Sequence, residues 1–264
     1  ICDTDGDGIS NEFDLDSDND GIYDIVESGV LNESGVADSN NDGRIDGATS
    51  SSGSNGLFNA IEDVDTEYAI PSYSILDSDA DGSYDAYVLD ADADGCNDVR
   101  EAGFTDNNDD GYLGPNPVTI DAEGIVTSGS DGYTPPADND SNTTYDYREV
   151  GSAPTITSQP VNTTTCPGCT TTISATVTAD QFQWQYYNGV SWLDLSDSGV
   201  YSGTSTSMLT ITNPTPSENN TQYRLLTSND AFICGTETSN TAILTLRVNT
   251  VVTNRRVTYR VNKN

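Results

Sequence analysis

The net charge of this chain is confined to its first 150 residues, which limits what those residues can fold into. Residues 1–150 hold 37 Asp and Glu against three Arg and no Lys, whereas residues 151–264 hold six acidic and six basic residues, out of a total of −34. A segment this acidic repels itself and stays open unless cations become part of the folded state. The arrangement of the acidic residues should therefore show how cations are held.

The acidic residues follow a fixed spacing. From Asp3 to Asp14 the sequence reads Asp-x-Asp-x-Asp-Gly-Ile-x-Asn-x-x-Asp, and the same order begins again at Asp16. This is the ligand order of a calcium loop, with side-chain oxygens at positions 1, 3, 5, 9 and 12, Gly at position 6 and a backbone carbonyl at position 7. Alternate residues of a tight turn can point short carboxylates at one cation, which predicts calcium binding.

The frame occurs seven times, and each loop is named by the number of its first residue. In loop 138, Thr143 replaces the Gly at position 6. The predicted ligands are Asp3, Asp5, Asp7, Ile9, Asn11 and Asp14; Asp16, Asp18, Asp20, Ile22, Asp24 and Glu27; Asp38, Asn40, Asp42, Arg44 and Asp46; Asp77, Asp79, Asp81 and Asp85; Asp90, Asp92, Asp94, Cys96, Asp98 and Glu101; Asp106, Asn108, Asp110 and Tyr112; and Asp138, Asp140, Asn142, Thr144, Asp146 and Glu149. We expect about seven calcium ions or more.

The loops are also paired, because loops 3 and 16, and loops 77 and 90, start 13 residues apart. Two incomplete copies of the loop begin 13 residues after the starts of loops 38 and 106. Loop 51 keeps Asn55, Asn59 and Glu62, and loop 119 keeps Asp121 and Glu123. Repeats of fixed period predict a quasi-linear architecture in which each unit contacts mainly its neighbours. Loops 38 and 77, which have no acid at position 12, and loops 51 and 119, which have none at position 1, are the doubtful sites.

Two other interpretations of the acidic segment fit the spacing less well. An EF-hand needs a helix on each side of its loop, yet only Leu15 separates loop 3 from loop 16. A disordered acidic tail would not place Gly at one offset from three alternating acids. Because the first doublet has too few apolar residues for a core, metal binding is expected to supply its folding energy, as structural cement rather than as a signal.

Back-to-back loops without helices resemble thrombospondin type 3 repeats. The sequences Asp-Leu-Asp-Ser-Asp-Asn-Asp-Gly-Ile at 14–22 and Asn-Asp-Val-Arg-Glu-Ala-Gly at 97–103 are similar to the bacterial version. That version is found in large secreted surface proteins of Bacteroidota, including gliding-motility adhesins. The resemblance covers about residues 2–150 and implies a chain wrapped around a row of calcium ions, with carboxylates shared between neighbouring ions.

The composition changes after Ala153 to short alternating runs rich in Thr, Ser and Val, which predict an all-β immunoglobulin-like sandwich over residues 153–249. Trp184 is predicted as the buried indole of the third strand, and Tyr223 resembles a tyrosine corner. On either side of the sandwich, the sequence predicts the calcium loops over residues 1–152 and a basic strand over residues 250–264. The predicted strands are 155–161, 171–178, 181–187, 190–195, 206–212, 222–228 and 240–248.

The five cysteines allow several pairings. Leu225 occupies the place of the second antibody cysteine, and the layout instead resembles immunoglobulin-like modules of Bacteroidota surface proteins, in which a bridge ties two loops. That resemblance favours Cys166 with Cys234. Cys166-Pro-Gly-Cys169 could instead form a short disulfide or half of a zinc site, although the chain has no His and no second CxxC. Cys2 and Cys96 could also pair.

The basic strand 250–264 carries Arg255, Arg256, Arg260 and Lys263. It either leads into a further domain or docks on a neighbouring surface, such as the acidic segment of another copy. The chain contains no signal peptide and no apolar run long enough to span a membrane. It starts at Ile, which suggests the ordered part of a longer secreted protein. The cysteines and weak calcium sites indicate an extracellular, cell-surface location.

Catalysis is not expected, because the chain has no His and a single Lys, which leaves carboxylates already assigned to metal. Nucleic acid is excluded as a partner because a strongly negative field repels phosphates. The favoured function is a calcium-stabilised structural or adhesive segment, a spacer, stalk or fibre, with calcium and other copies of the chain as partners. The alternative is an accessory module of a secreted enzyme that binds polysaccharide through Tyr186, Tyr187, Trp192 and Tyr201, although sheet packing is the favoured explanation of these aromatics.

Overall fold

A computed structural model describes residues 2–47, 58–62 and 73–247. The chain divides into two units. The first comprises Ile1–Pro154 together with Ser228–Thr236, and the second comprises Thr155–Thr227 together with Glu237–Asn264. The division after Pro154 lies two residues beyond the predicted boundary, and the tip of a later hairpin belongs to the first unit. The basic strand 250–264 lies outside the described residues.

Loops and single turns build the first unit. A short α1 (Asp24–Glu27) closes loop 16 and a short α2 (Asp98–Glu101) closes loop 90. Further 3₁₀ turns cover Val30–Asn32, Asp85–Tyr87 and Asp146–Arg148. In α1 and α2 the loop residues at positions 9 and 12 stand three apart on one helical turn, so their carboxylates share one face.

The loops of the first unit also surround a small apolar core. Its buried residues come from loops distant in sequence and are Ile22, Ala91, Val99, Ala102, Phe104, Leu113, Val126 and Tyr147. Backbone hydrogen bonds join the same distant loops, as from Leu113 N–H to the Asn19 carbonyl and from Leu15 N–H to the Glu123 carbonyl. The prediction of a quasi-linear row without a core is therefore wrong, because apolar residues too few within one doublet are pooled across several.

Two layers of strands make the second unit. The strands are β1 (Thr155–Ser158), β2 (Thr163–Thr165), β3 (Thr170–Ser174), β4 (Thr176–Thr178), β5 (Gln181–Tyr187), β6 (Trp192–Asp194), β7 (Tyr201–Ser202), β8 (Met208–Thr212), β9 (Gln222–Asn229), β10 (Phe232–Thr238) and β11 (Ala242–Leu246). A 3₁₀ turn over Pro216–Glu218 precedes β9. The sequence predicts β5 at its exact bounds and does not predict β2, β7 or β10.

Strand pairing identifies the second unit as an immunoglobulin-like sandwich. The described strands form three sheets: β1–β4, β3-β8-β7, and one with the order β2-β11-β9-β5-β6 and β10 on β9. Because Ala175 alone separates β3 from β4, the first two sheets continue one another as one layer. The edge strand β2 runs parallel to β11, while β9 is antiparallel to β11 and β6 to β5. Antiparallel strands packed in two such layers are typical of the fold. The chain runs from one layer to the other several times, so both inner faces contribute to one core.

The sandwich core is apolar, as the alternation in its strands predicts. Trp184 is fully buried on β5, and its indole N–H donates to the Thr206 carbonyl at 2.8 Å. Tyr223 is fully buried on β9, with its hydroxyl 3.0 Å from that of Tyr201. The other fully buried members are Leu209, Ile211, Leu225, Ala242 and Leu244. The expectation for Trp184 is confirmed.

The cysteine pairing differs from the one that resemblance favoured. Disulfides join Cys96 to Cys234 and Cys166 to Cys169, and Cys2 is free and exposed. Cys234 lies in strand β10 rather than in a loop, and its part of the hairpin belongs to the first unit. The Cys166–Cys234 and Cys2–Cys96 pairings are therefore wrong, and the short Cys166–Cys169 disulfide is the alternative that the structure contains. Among the described residues, no helix has the length and apolar character needed to cross a bilayer.

Candidate metal centres

One closing hydrogen bond recurs in all seven predicted loops. The backbone N–H at position 9 donates to the carbonyl just before position 1, as from Asp24 to Leu15 at 2.9 Å in loop 16. The other six pairs span 2.7–3.1 Å and are Asn11 to Cys2, Asp46 to Ala37, Asp85 to Leu76, Asp98 to Leu89, Gly114 to Thr105 and Asp146 to Ala137. The common spacing therefore corresponds to a common local structure.

Backbone N–H groups inside each turn orient the predicted ligands. In all seven loops the position 7 N–H donates to the side-chain oxygen at position 5, as from Ile22 to Asp20 at 2.7 Å. In six loops the position 6 N–H donates to the carboxylate at position 1, as from Gly21 to Asp16 at 3.0 Å. Hydrogen bonds within each turn therefore orient the carboxylates without help from a cation.

Positions 4 and 6 have left-handed backbone conformations, which make each turn tight enough for the side chains at positions 1, 3 and 5 to converge. Position 6 has φ values from 77° to 99° in the loops that carry Gly there, and 84° at Thr143 in loop 138. Position 4 is left-handed too, and is occupied by Gly6, Asn19, Asn41, Ala80, Ala93, Asp109 and Ser141. Only Gly adopts this conformation without strain. The sequence signalled position 6 through its glycines, whereas position 4 carries no single residue type and gave no signal.

Three carboxylates gather at the heads of four loops. Oxygens at positions 1, 3 and 5 lie within 4.8 Å of one another in loops 3, 16, 77 and 90. In loops 38, 106 and 138 one head position is an Asn, whose amide bonds an adjacent head carboxylate, as from Asn108 to Asp110 at 2.6 Å. The structure therefore brings together the predicted head residues of all seven loops.

Loops 16 and 90 are the most buried of these heads. Asp16, Asp20 and Glu27 are 0% exposed in loop 16, as are Asp98 and Glu101 in loop 90. Both carboxylate oxygens of Glu27 and of Glu101, and one oxygen of Asp18, Asp20 and Asp92, are buried without a hydrogen-bond partner. Burying an ionised carboxylate without a partner costs several kcal/mol per group, so these oxygens need protons or cations.

Burial raises the pKa of these carboxyl groups in the absence of metal. Loss of solvation raises the pKa of Asp92 to about 7, of Asp20 to about 8 and of Glu101 to about 10. It also raises the pKa of Glu27 and Asp98 well above the ordinary range, and neighbouring carboxylates add to both shifts. The metal-free site therefore holds protons near neutral pH, which a divalent cation would displace.

Arg148 supplies an internal cation beside loop 77. Its guanidinium lies 3.5 Å from Asp85 and donates to the backbone carbonyls of Val26 and Glu27. The same group stacks 4.9 Å from the centre of the Tyr147 ring. Loop 77 is one of the loops without an acid at position 12, where Val88 stands. A fixed side-chain cation thus partly balances a loop with fewer predicted ligands, a role that the sequence did not reveal.

The incomplete loops give less support to a metal site. Glu123 of loop 119 forms an ion pair with Arg44 at 2.7 Å, and Asp121 accepts the backbone N–H groups of Glu123 and Ile125. In loop 51, Asn55 lies outside the described residues and Asn59 is exposed. Ligand roles for these residues, and for Glu62, remain predictions.

The donor set suits one class of ion. The clusters contain carboxylate oxygens, supplemented by amide oxygens, with no imidazole in the chain. Oxygens within 4.8 Å of one another fit around an ion that binds at about 2.3–2.6 Å, as calcium does. Zinc and copper prefer nitrogen or sulfur ligands. The orphaned buried oxygens of loops 16 and 90 thus fit calcium.

Comparisons with known proteins do not identify a family for this chain. No protein-family model matches this sequence, and no curated protein matches it. The N-terminal Ig1-2 module of the Drosophila receptor protein tyrosine phosphatase DLAR matches 36% of this chain and 49% of its own, with 17% identity and a TM-score of 0.30. Titin M4 matches 36% of this chain and 96% of its own, with 23% identity and a TM-score of 0.30. Such TM-scores carry no argument, so the immunoglobulin-like assignment rests on strand pairing.

Proposed function

We propose that this chain is a calcium-stabilised structural or adhesive segment of a secreted cell-surface protein, acting as a spacer, stalk or fibre. The observation that carries the proposal is the set of fully buried carboxylates in loops 16 and 90 whose oxygens have no hydrogen-bond partner. Calcium bound in each loop of a thrombospondin type 3-like chain would stabilise those carboxylates. At pH 8 the first unit then folds only with its metal.

The extracellular location has two supports. Two disulfides occur among the described residues, and disulfides persist mainly in oxidising compartments. Loops with several exposed ligands, such as loops 38 and 138, suit the weak affinities of extracellular modules, about 10⁻⁴–10⁻³ M. Calcium outside the cell is concentrated enough to fill sites of that strength, so a secreted protein would remain folded.

The contacts of the sandwich aromatics favour a structural role over polysaccharide binding. The Arg224 guanidinium lies 4.4 Å from the centre of the Trp192 ring, and the Tyr187 ring lies 5.4 Å from it. Tyr201 bonds the buried Tyr223 hydroxyl. These rings already pack against protein groups, which leaves less free aromatic surface for a sugar. Catalysis is not part of the proposal.

A chelator experiment tests the proposal. We expect EDTA to make residues 1–154 sensitive to protease and to increase the hydrodynamic radius of the full chain, while the sandwich stays resistant. Adding calcium back should restore the resistance, and adding magnesium at the same concentration should do so less well, because Mg²⁺ demands a stricter geometry. A first unit that kept its compactness and resistance in EDTA would refute the proposal.

A further inference from the structure

A second cluster of carboxylates lies between two loops of different doublets. Oxygens of Asp20, Glu27 and Asp98 lie within 4.8 Å of one another. Asp20 and Glu27 belong to loop 16, whereas Asp98 belongs to loop 90. Asp20 is also a member of the head cluster with Asp16 and Asp18, so it is common to both groups. Glu27 thus faces the neighbouring loop as well as its own.

The burial of this cluster indicates that a cation belongs in it. All three residues are 0% exposed. Both oxygens of Glu27 and one oxygen of Asp20 have no hydrogen-bond partner, and Glu27 points one of these oxygens into the cluster. Asp98 is oriented by the Ala91 N–H at 2.9 Å. The ion pairs among the described residues involve Arg44, Arg100 and Arg148, and none of them reaches these three carboxylates.

We propose that a calcium ion binds between Asp20, Glu27 and Asp98 and holds loop 16 against loop 90. This bridging ion shares Asp20 with the ion in the head of loop 16. The inference rests on the proposed function, since it presumes that the loops bind calcium. It goes further in two respects: the number of ions exceeds one per loop, and an ion joins loops that are not neighbours in the sequence.

The bridging ion explains why the first unit is not a simple row of loops. A cation between loops 16 and 90 would add a bond between their doublets where the apolar core is small. The competing explanation is that the three carboxylates share protons and attract no metal. The two explanations differ in how many calcium ions the chain binds and in how substitutions on the two loops combine.

A double-substitution experiment tests the bridge. Calcium bound per full-length chain is measured by equilibrium dialysis for the unsubstituted protein, E27Q, D98N and the E27Q/D98N double variant. Either substitution alone should remove the bridging ion, so that ion is counted in both single losses. The double variant can lose it only once and should therefore lose about one ion fewer than the sum of the two single losses. Strictly additive losses would overturn the bridge.

Asp146→Asn is the matched control. Asp146 is also 0% exposed, also stands at position 9 of its loop, and also accepts the position 2 N–H, from Asn139 at 3.0 Å. Its calcium loss should add fully to that of E27Q, because loop 138 has its own ion. If E27Q combined with D146N as it combines with D98N, the effect would be general and the bridge would be wrong.

A second measurement needs no substitution. Crystals of the full chain grown with Tb³⁺ in place of calcium should show an anomalous peak between the three carboxylates, separate from the peak in the head of loop 16. Peaks in the loop heads alone would overturn the bridging ion and leave the proposed function intact. A chain that bound neither calcium nor terbium would overturn both.

Discussion

The two units of this protein differ in how much charge their interiors contain. In the sandwich the fully buried side chains are apolar or aromatic, with Trp184, Leu209 and Leu225 among them. In the first unit the side chains buried to the same degree include Asp16, Glu27 and Glu101. The interior of the sandwich shields apolar side chains from water, whereas the interior of the first unit also shields carboxylates from water. In the function that we propose, only the interior of the first unit depends on cations, which the polypeptide itself does not contain.

This difference separates the sources of stability. Burial of apolar surface contributes about 25 cal/mol per Å² and needs no partner outside the chain. Buried carboxylates contribute only when protons or cations neutralise them, and otherwise oppose folding. The sandwich should therefore respond to substitutions in its core and the first unit to its ionic surroundings. Each of the following predictions sets one unit against the other.

The largest effect is expected from Trp184→Ala. The indole is fully buried and donates a hydrogen bond to Thr206, so its loss should cost about 3–5 kcal/mol. In thermal unfolding followed by calorimetry, the calcium-independent transition should move to lower temperature and the calcium-dependent one should stay. The control is Val190→Ala at an 87% exposed position, which should shift neither transition. A shift of both transitions by Trp184→Ala would show that the two interiors are not independent.

The two disulfides should differ strongly in effect. Cys96 and Cys234 are 138 residues apart, whereas Cys166 and Cys169 are three apart. Because cross-links that close long loops restrict the unfolded chain most, Cys96→Ser with Cys234→Ser should destabilise the calcium-dependent transition by about 2–5 kcal/mol. The same pair of changes at Cys166 and Cys169 should have a much smaller effect. Equal effects in chemical denaturation would contradict this expectation.

The first unit should respond to pH in opposite directions with and without calcium. Burial raises the pKa of Asp5 to about 7 and of Asp20 to about 8, above the unfolded value near 4. In EDTA, protons on these groups stabilise the first unit below pH 4, and this contribution is lost as the pH rises through 7 and 8, so that the unit should unfold at pH 8 without calcium. With calcium, binding needs ionised carboxylates, so the apparent affinity should rise over the same range.

Denaturation at pH 5 and pH 8, with and without calcium, measures both slopes. The sandwich should show little change between these pH values, since the chain has no His and the pKa of Asp197 is lowered by the hydrogen bond from Thr204. If the first unit gained stability with pH in EDTA, the account of its buried carboxylates would be wrong.

The smallest effect is expected from Thr143→Gly. Thr143 has φ 84°, a conformation that costs a β-branched residue about 1–3 kcal/mol. The substitution relieves that strain but also gives the unfolded chain more conformational freedom, which offsets part of the gain, so we expect a net stabilisation of about 1 kcal/mol in calcium. Thr144→Gly next to it is the control and should not stabilise. A loss of stability with Thr143→Gly would mean that the threonine side chain has a role of its own.

The sequence was informative where structure is local. The spacing of acids and glycines predicts the seven loop heads because position 6 and position 1 lie five residues apart within one turn. The alternation of apolar and polar residues predicts β5 and the burial of Trp184, because successive side chains of a strand point to opposite faces of the sheet. These features depend on residues a few positions apart and were accessible from pattern and spacing.

Contacts between distant segments were not accessible in the same way. The Tyr133 hydroxyl donates to Asp16 at 2.7 Å across 117 residues, and nothing in either local sequence indicates the other. The same holds for Arg148 beside loop 77 and for the Cys96–Cys234 pair. The expectation of a simple row failed for this reason, because a repeat pattern specifies each turn but not how turns pack on one another.

Calorimetry of the full chain across a calcium titration tests the central claim most directly. The account predicts two transitions. At pH 8, the one from the first unit should be absent in EDTA, and it should appear and move to higher temperature as calcium is added. The other, from the sandwich, should keep its temperature throughout. A first-unit transition that persisted in EDTA at an unchanged temperature would contradict the claim that this unit folds around metal-bound carboxylates.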